Sequence, residues 1–213
     1  MFDAAFLAEA WPALISGAAN TVLVTVAGIV LGFAIGALIA AAATAPSRPA
    51  RVFAALYISF FRGVPLLVQL LLAYYVLPFV GLDVSPWTAA VGMLGLCCAA
   101  YAAEILRGGL STVPVAAIEA ARLSGLTPQQ VFLRIRLPIA LIAMRPALIG
   151  EATMILKASA LVSVVGITEI TRNAQAVAAS TFMPLESYLL AGVFYLLLNL
   201  VLLGVGAARR QPA

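Results

Sequence analysis

Charged side chains are rare in this sequence, and several of them lie inside long apolar stretches. Arg62, Glu104, Arg107 and Lys157 are each surrounded mainly by apolar residues. An ionisable group in such surroundings is costly unless it pairs with an opposite charge or meets a polar ligand. A cation and an acid held close together would suit a small zwitterion, which brings one carboxylate and one ammonium group.

The spacing of three of these residues indicates how they are used. Glu104 and Arg107 are three residues apart, so in a helix they share a face and can pair. Arg107 can equally extend to a membrane interface, and structural and substrate-binding roles both stay open. Arg62 stands beside Gly63 and Pro65, where we expect a broken helix with freed backbone groups. The alternative for Arg62 is a packing or interface arginine.

The remaining candidates offer polar contacts but no catalytic chemistry. Glu151 and Lys157 are six residues apart, which places them on different faces of a helix, so each needs a partner elsewhere. Lys157 and Ser159 lie near the middle of an apolar stretch. The sequence has no histidine, and Cys97 and Cys98 are adjacent, which disfavours both a disulfide between them and a metal site. We expect two small core residues there.

The composition determines which elements position these side chains. Hydrophobic residues make up 64% of the 213 residues and charged residues 9%, whereas a soluble domain carries about 25% charged residues. The net charge of +4 is not gathered into basic runs with interleaved aromatics, so a nucleic-acid partner is not expected. We predict an all-α integral membrane protein, a single domain over 1–213. The predicted spans are 15–43, 56–80, 88–107, 146–167 and 187–207.

The arginines predict the orientation of these spans. Arg48 and Arg51 lie in the first loop, several more bracket the third loop, and Arg209 and Arg210 follow the last span. The N-terminus and the second loop carry only acidic charge. The positive-inside rule then places the N-terminus outside and the C-terminus in the cytoplasm. Since no basic region precedes the first apolar run, we expect that span to be retained rather than cleaved.

The first span carries a stripe of small residues. Gly28, Gly32 and Gly36 recur at four-residue spacing. Such a stripe lets another helix approach closely, so we predict a helix-packing face.

The loop at 108–145 predicts two short helices. The first begins near Pro114 and runs to about Ser124, where Gly125 supplies a left-handed residue.

The second short helix follows at once. Thr127 is a suitable N-cap, Pro128 takes the first helical position, and Gln130 completes a capping box. We expect this helix to end at Leu137, where Pro138 interrupts it.

The same loop contains a sequence motif with fixed spacing. The pattern EAA-x3-G-x9-I-x-LP resembles the EAA loop of bacterial ABC-import permeases. The resemblance implies a coupling helix, within a loop at about 112–138, that docks into a cleft of an ATPase subunit. The motif positions are Glu119, Ala120, Ala121, Gly125, Ile135, Leu137 and Pro138.

Three further segments are similar to the polar amino acid permeases, the histidine, glutamine, arginine and opine subfamily. These segments are 61–69, 101–109 and 157–161, the last followed by Gly166. Ala158 stands where that subfamily usually has an aspartate, which puts recognition of a cationic side chain by this subunit in doubt. The candidate substrate path comprises Arg62, Gln69, Tyr101, Glu104, Arg107, Lys157, Ala158 and Ser159.

The resemblance also implies partners, because the chain has no energy source of its own. It contains no G-x4-GK[ST] phosphate loop, and its only lysine, Lys157, lies in a predicted span. We therefore expect no cofactor on this chain. ATP and Mg would be bound by two separate ATPase subunits.

Further partners would be a periplasmic or lipid-anchored binding protein and a second permease, a paralogue being favoured over an identical copy. The expected location is the bacterial cytoplasmic (inner) membrane. The cargo would be a polar amino acid, with an opine or a compatible solute as the alternative. A secondary transporter or a channel is less favoured, because either would leave the coupling loop unexplained.

Overall fold

The computed structural model describes residues 3–207, and this part of the chain is helical throughout, with no strand. The predicted all-α fold is therefore confirmed. Arg209 and Arg210 lie outside the described residues. The helices are α1 (Ala4–Ala43), α2 (Arg48–Gly63), α3 (Leu66–Leu71), α4 (Pro86–Ser111), α5 (Val115–Leu123), α6 (Pro128–Val131), α7 (Leu137–Ala158), α8 (Ile170–Thr181) and α9 (Pro184–Ala207).

Segments of other helical types extend three of these elements. A π-helical segment, Leu72–Val76, and a 3-10 turn, Leu77–Val80, continue α3. A π-helical segment at Phe132–Arg136 joins α6 to α7. A 3-10 segment at Ser159–Val165 continues α7.

Four helical segments of the described chain are long and apolar enough to cross a bilayer, and a fifth crossing is obtained if α2 and α3 are counted together. The crossings alternate in direction. Phe6 of α1 packs against Val177 of α8, while the far end of α9 meets the beginning of α7, where Arg145 donates to the carbonyl of Gly206. The start of α1 and the end of α9 therefore lie at opposite ends of the bundle.

The central contact of the bundle joins α1 to α4, and the two helices run parallel. A Cβ atom added at Gly32 would lie 2.5 Å from the Cβ of Cys98, and one added at Gly36 would lie 2.8 Å from the Cβ of Ala102. These distances are too short for any side chain, so the predicted packing face is confirmed. Cys98 and Cys97 are buried and free, as expected of core residues.

The predicted span 56–80 is not one continuous helix. The chain bends by 103° between α2 and the segment that begins with α3. Pro65 causes the break, because it has no N–H for a helical hydrogen bond and forces the preceding residue into an extended conformation. Val64 accordingly has φ −93° and ψ 133°. The break expected beside Arg62 is present.

The predicted helix end at Pro138 is wrong. The chain continues from α6 through the π-helical segment into α7 without a break. In the widened turn the N–H of Leu137 donates to the carbonyl of Phe132, five residues back. This wider hydrogen-bond ring accommodates a proline at the next position, so Pro138 stands in the first turn of α7.

The fourth connection, expected to be a loop, contains a further helix. α8 is twelve residues long and buries Ile170, Ala174 and Val177 against α1 and α9. Because polar and apolar residues alternate in it, this segment has no apolar stretch long enough to be recognised as a span. The sequence therefore did not reveal this helix. Glu169 is the N-cap of this helix, and its carboxylate accepts hydrogen bonds from two backbone N–H groups of the first turn.

Candidate functional site

The first helix of the predicted coupling loop ends in a complete Schellman motif. Gly125 adopts φ +80°, a left-handed conformation. The N–H of Gly125 donates to the carbonyl of Arg122, and the N–H of Leu126 donates to the carbonyl of Ala121. These are the two hydrogen bonds that define the motif, and they reverse the chain sharply after α5.

The start of α6 has the predicted capping box. The hydroxyl of Thr127 accepts a hydrogen bond from the N–H of Gln130, whose side-chain oxygen accepts one from the N–H of Thr127. Val131, at the end of α6, is buried. We refer to α5, α6 and the turn between them as the α5–α6 hairpin.

The motif residues divide between two surfaces of this hairpin. Glu119, Ala120 and Gly125 are exposed, whereas Ala121 is buried. Ile135 and Leu137 are partly buried where the hairpin joins α7, and Pro138 is exposed beside them.

Two apolar residues of α5 that sequence reasoning missed are also exposed. The side chain of Leu123 is 90% accessible and that of Val115 is 66% accessible. With Glu119, they give α5 a mixed apolar and acidic surface that no other part of residues 3–207 covers.

At the helix break, the structure brings together the charged residues that the sequence singled out. Arg107 donates two hydrogen bonds of 2.9 Å to the carboxylate of Glu104. Nη1 of Arg62 lies 3.7 Å from the same carboxylate, and its guanidinium stands 5.2 Å from the centre of the Tyr101 ring. The predicted Glu104–Arg107 pair is confirmed. We refer to Arg62, Glu104 and Arg107 as the charged cluster.

Gln69 stabilises the break beside the charged cluster. Its side-chain nitrogen donates to the carbonyl oxygens of Phe61 and Val64, at 3.1 Å and 2.8 Å, which are groups that the broken helix leaves free. Its side-chain oxygen is buried and finds no hydrogen-bond partner in the described part of the chain. An acceptor without a donor therefore stands next to the arginine-rich cluster.

One acid near the charged cluster was not among the candidate path residues. Glu151 of α7 is partly buried and lies within electrostatic range of Arg62 and of the two cysteines. The signal for it was in the sequence, because an acid within an apolar stretch is a functional candidate by default. Besides the carboxylate of Glu104, Arg62 therefore has that of Glu151 in its electrostatic neighbourhood.

The last three candidates lie apart from the charged cluster. Lys157 is exposed, and no salt bridge among residues 3–207 includes it. Ala158 packs against the apolar core that contains Leu70 of α3. Ser159 is fully buried, and its hydroxyl donates to the carbonyl of Leu156 at 2.7 Å.

The charged cluster and the outer face of α9 are both exposed but differ in polarity. In the cluster, the side chains of Arg62 and Arg107 are 43% and 53% exposed. The outer face of α9 is largely apolar and suits lipid chains, whereas exposed arginines at the depth of a span require a polar partner. Exposed residues of the α9 face include Leu196, Leu197, Leu200 and Val201. Within residues 3–207, no group of three or more histidine, cysteine, aspartate or glutamate side chains is arranged so that it could hold a metal ion.

Comparison with known proteins shows which family has this sequence and this fold. Residues 28–208 match the family described as binding-protein-dependent transport system inner membrane component. The chain is 34% identical to the nopaline transport system permease protein NocM of Agrobacterium fabrum, over 93% of this chain and 87% of that protein. It is 36% identical to the glutamine transport system permease protein GlnP of Escherichia coli, over 94% and 93%.

Solved structures agree with the sequence comparison. A crystal structure of an amino acid ABC transporter with histidines superposes with a TM-score of 0.90 at 33% identity, covering 98% of this chain and 97% of that chain. Inward-facing structures of the MetNI methionine ABC transporter, one at 18% identity and a TM-score of 0.69, share the fold. The chain belongs to the binding-protein-dependent transport system inner membrane components, the family of ABC-importer permease subunits.

Proposed function

We propose that this chain is the permease subunit of an ATP-driven importer for a polar amino acid, working as a single permease unit over residues 1–213. The family match and the permeases for glutamine, arginine and nopaline among its relatives support this assignment. The chain would not catalyse a reaction. ATP and Mg would be bound and ATP hydrolysed by two partner ATPase subunits.

The charged cluster at the helix break is the observation that supports an amino acid as cargo. Arg62 offers a guanidinium for a carboxylate, while Glu104 and Glu151 offer acceptors for an ammonium group. Both kinds of group stand beside the bend of 103°. A zwitterion needs this combination, and a purely apolar or anionic solute does not.

The α5–α6 hairpin would be the contact with the ATPase subunits. The Schellman motif at the end of α5 and the capping box at the start of α6 fix the turn between the two helices, so the hairpin can move as a rigid body and transmit a displacement. Glu119, Val115 and Leu123 would face the ATPase. A second permease subunit, preferably a paralogue, would cover the exposed charged cluster, and an extracytoplasmic binding protein would deliver the substrate.

The proposed orientation places the N-terminus outside and the C-terminus in the cytoplasm of an inner membrane. In a variant without Cys97 and Cys98, a cysteine replacing Asp83 should react with an impermeant thiol reagent added outside. A cysteine replacing Thr127 should react only after the inner face is opened. The reverse labelling pattern would invert the orientation and remove the α5–α6 hairpin from the ATPase side.

The fourth span is where we expect the substrate specificity to be set. Lys157 would favour a substrate carboxylate, and Ala158 leaves no acid beside it for a cationic side chain. In proteoliposomes that contain the whole complex, Lys157→Met should reduce uptake of every substrate while basal ATP hydrolysis continues. Ala158→Asp should shift preference toward arginine-like or lysine-like substrates.

Two results would contradict this assignment of the fourth span. A well-assembled Lys157→Met complex with normal uptake would remove the substrate role of that lysine. Failure of the same variant to assemble would support a purely structural pairing with an acid of the partner subunit. Uptake of nopaline or octopine in preference to amino acids would favour the second candidate, an opine importer, which the similarity to opine permeases supports.

A further inference from the structure

The most completely buried charged group in the described chain lies away from the charged cluster, at the start of α8. Glu169 is 0% exposed. Its carboxylate accepts hydrogen bonds from the backbone N–H groups of Thr171 and Arg172, at 2.8 Å and 2.7 Å. The hydroxyl of Tyr195 on α9 donates to the same carboxylate at 2.6 Å. Three donors therefore converge on one buried acid.

This acid lies where three consecutive elements of the chain meet. Tyr195 of α9 also contacts the hydroxyl of Thr171, at 3.2 Å, and α8 packs directly against the segment Ser159–Val165. Ser159 begins the 3-10 segment that ends at Gly166, which adopts φ +90°. The end of the fourth span therefore lies beside α8, and the hydroxyl of Tyr195 connects α8 to α9.

Helix α8 is also held to α1 by polar contacts. The side chain of Asn173 donates to the carbonyl of Ala13 at 2.6 Å, and the N–H of Ile170 donates to the hydroxyl of Thr21 at 3.3 Å. Such contacts fix the position of α8 on the bundle. They leave its other face free, where Arg172 and Gln175 are exposed.

A buried carboxylate needs all of its donors. If one is removed, the charge is left partly unpaired, and the groups around it rearrange to recover a hydrogen bond. The Tyr195 bond is the only one of the three that reaches α9, since the other two come from α8 itself. Removing that bond should therefore release α8 from α9 while leaving the helix cap in place.

We infer that Glu169 and Tyr195 are positioning residues that lock α8 to α9. With the lock closed, α8 and α9 move as one unit. This inference rests on the proposed function, in which α8 lies at the outer end of the importer, opposite the α5–α6 hairpin. The substrate then arrives from the binding protein at the end that the lock holds rigid.

The test uses the whole complex in proteoliposomes and three variants of this chain. Tyr195→Phe removes the hydroxyl, whereas Glu169→Asp keeps a helix cap but shortens the reach to Tyr195. The matched control is Tyr188→Phe, on the same helix at an exposed position. Loss of one hydrogen bond to a charged group corresponds to a change of at least about tenfold in an equilibrium. Each lock variant should raise the half-saturating concentration of binding protein by about that factor, with basal ATP hydrolysis unchanged.

Two further measurements separate a lock from a general loss of stability. The double variant should be no worse than Tyr195→Phe alone, because that change already removes the bond that Glu169→Asp weakens. In a background without Cys97 and Cys98, a cysteine replacing the buried Ala174 of α8 should be labelled faster by an impermeant reagent when Tyr195 is Phe. A cysteine replacing the buried Ala90 of α4 should stay protected.

Several outcomes would overturn the lock. These are additive effects in the double variant, equal loss of protection at positions 174 and 90, or unchanged labelling at position 174. If the parent complex itself shows no uptake that depends on a binding protein, the proposed function fails instead. The labelling experiment still decides whether the bond holds α8.

Discussion

The two ends of the helical bundle are built in different ways. At one end, the α5–α6 hairpin is held by hydrogen bonds between residues close in sequence, as in the capping box, where Thr127 and Gln130 are three residues apart. At the other end, α8 is held by bonds between distant residues. Asn173 and Ala13 are 160 residues apart, and Asn20 and Thr168 are 148 apart.

This difference has a mechanical consequence. A hairpin stabilised by its own caps keeps its shape when it moves relative to the bundle. Helix α8, in contrast, keeps its position only while α1 and α9 are in place. A substitution in the hairpin should therefore alter its geometry locally, whereas a substitution under α8 should disturb the packing of several helices together.

The largest effect is expected where α8 approaches α1 most closely. A Cβ atom added at Gly17 would lie 2.9 Å from the side-chain nitrogen of Asn173 and 2.9 Å from the backbone N of Ile170. Gly17→Val should therefore push α8 off α1 and lower the free energy of unfolding by at least the ~1–3 kcal/mol typical of overpacking. The measurement is the thermal unfolding midpoint of the purified protein in detergent.

The matched control is Gly192→Val in α9, where an added Cβ atom has no neighbour within 4 Å. It introduces the same side chain into a helix but leaves the α1–α8 contact intact, so its unfolding midpoint should stay close to that of the parent. Equal midpoints for the two variants would contradict the comparison, because they would show that α8 does not depend on α1.

The second effect concerns function more than stability. Gly125→Val places a β-branched residue at φ +80°, which costs about 1–2 kcal/mol and should displace α5 from its orientation. We expect normal assembly of the complex but several-fold weaker stimulation of ATP hydrolysis by the loaded binding protein. ATP hydrolysis and uptake are measured together in proteoliposomes.

Asparagine provides the control at the same position, because it tolerates the left-handed conformation. Gly125→Asn should retain most of the stimulated ATP hydrolysis. If Gly125→Val behaves like the parent, the geometry of the Schellman motif does not matter for coupling.

The smallest effect is expected at the capping box. Thr127→Ala removes the side-chain cap of α6, which is worth about 0.5–2 kcal/mol. Because α6 continues into α7, most of this cost should appear as fraying of its first turn. Hydrogen exchange of the amides of residues 129–131 should become faster. The decrease in uptake should be smaller than the decrease caused by Gly125→Val. Exchange that accelerates equally in α8 would contradict the separation of the two ends.

Parts of this structure could be predicted because the responsible interactions are local. Gly125, Thr127 and Gln130 act within a few residues of the chain, so their types and spacing predict the caps that the structure shows. The Glu104–Arg107 pair follows from the same rule for a single helix. Pro138 misled the prediction because a π-helical turn, Phe132–Arg136, absorbed it, and no sequence pattern distinguishes that turn from a helix end.

Composition, periodic apolar stretches and short motifs determined the membrane class, the spans and the hairpin, because each depends on neighbouring residues or on the total apolar surface. The tertiary structure alone decided which side chains meet across helices. It placed Arg62 of α2 against Glu104 of α4, and it turned Glu169, expected in a loop, into a buried acid under Tyr195. Such contacts depend on how helices cross, and crossing is set by the fit of whole faces.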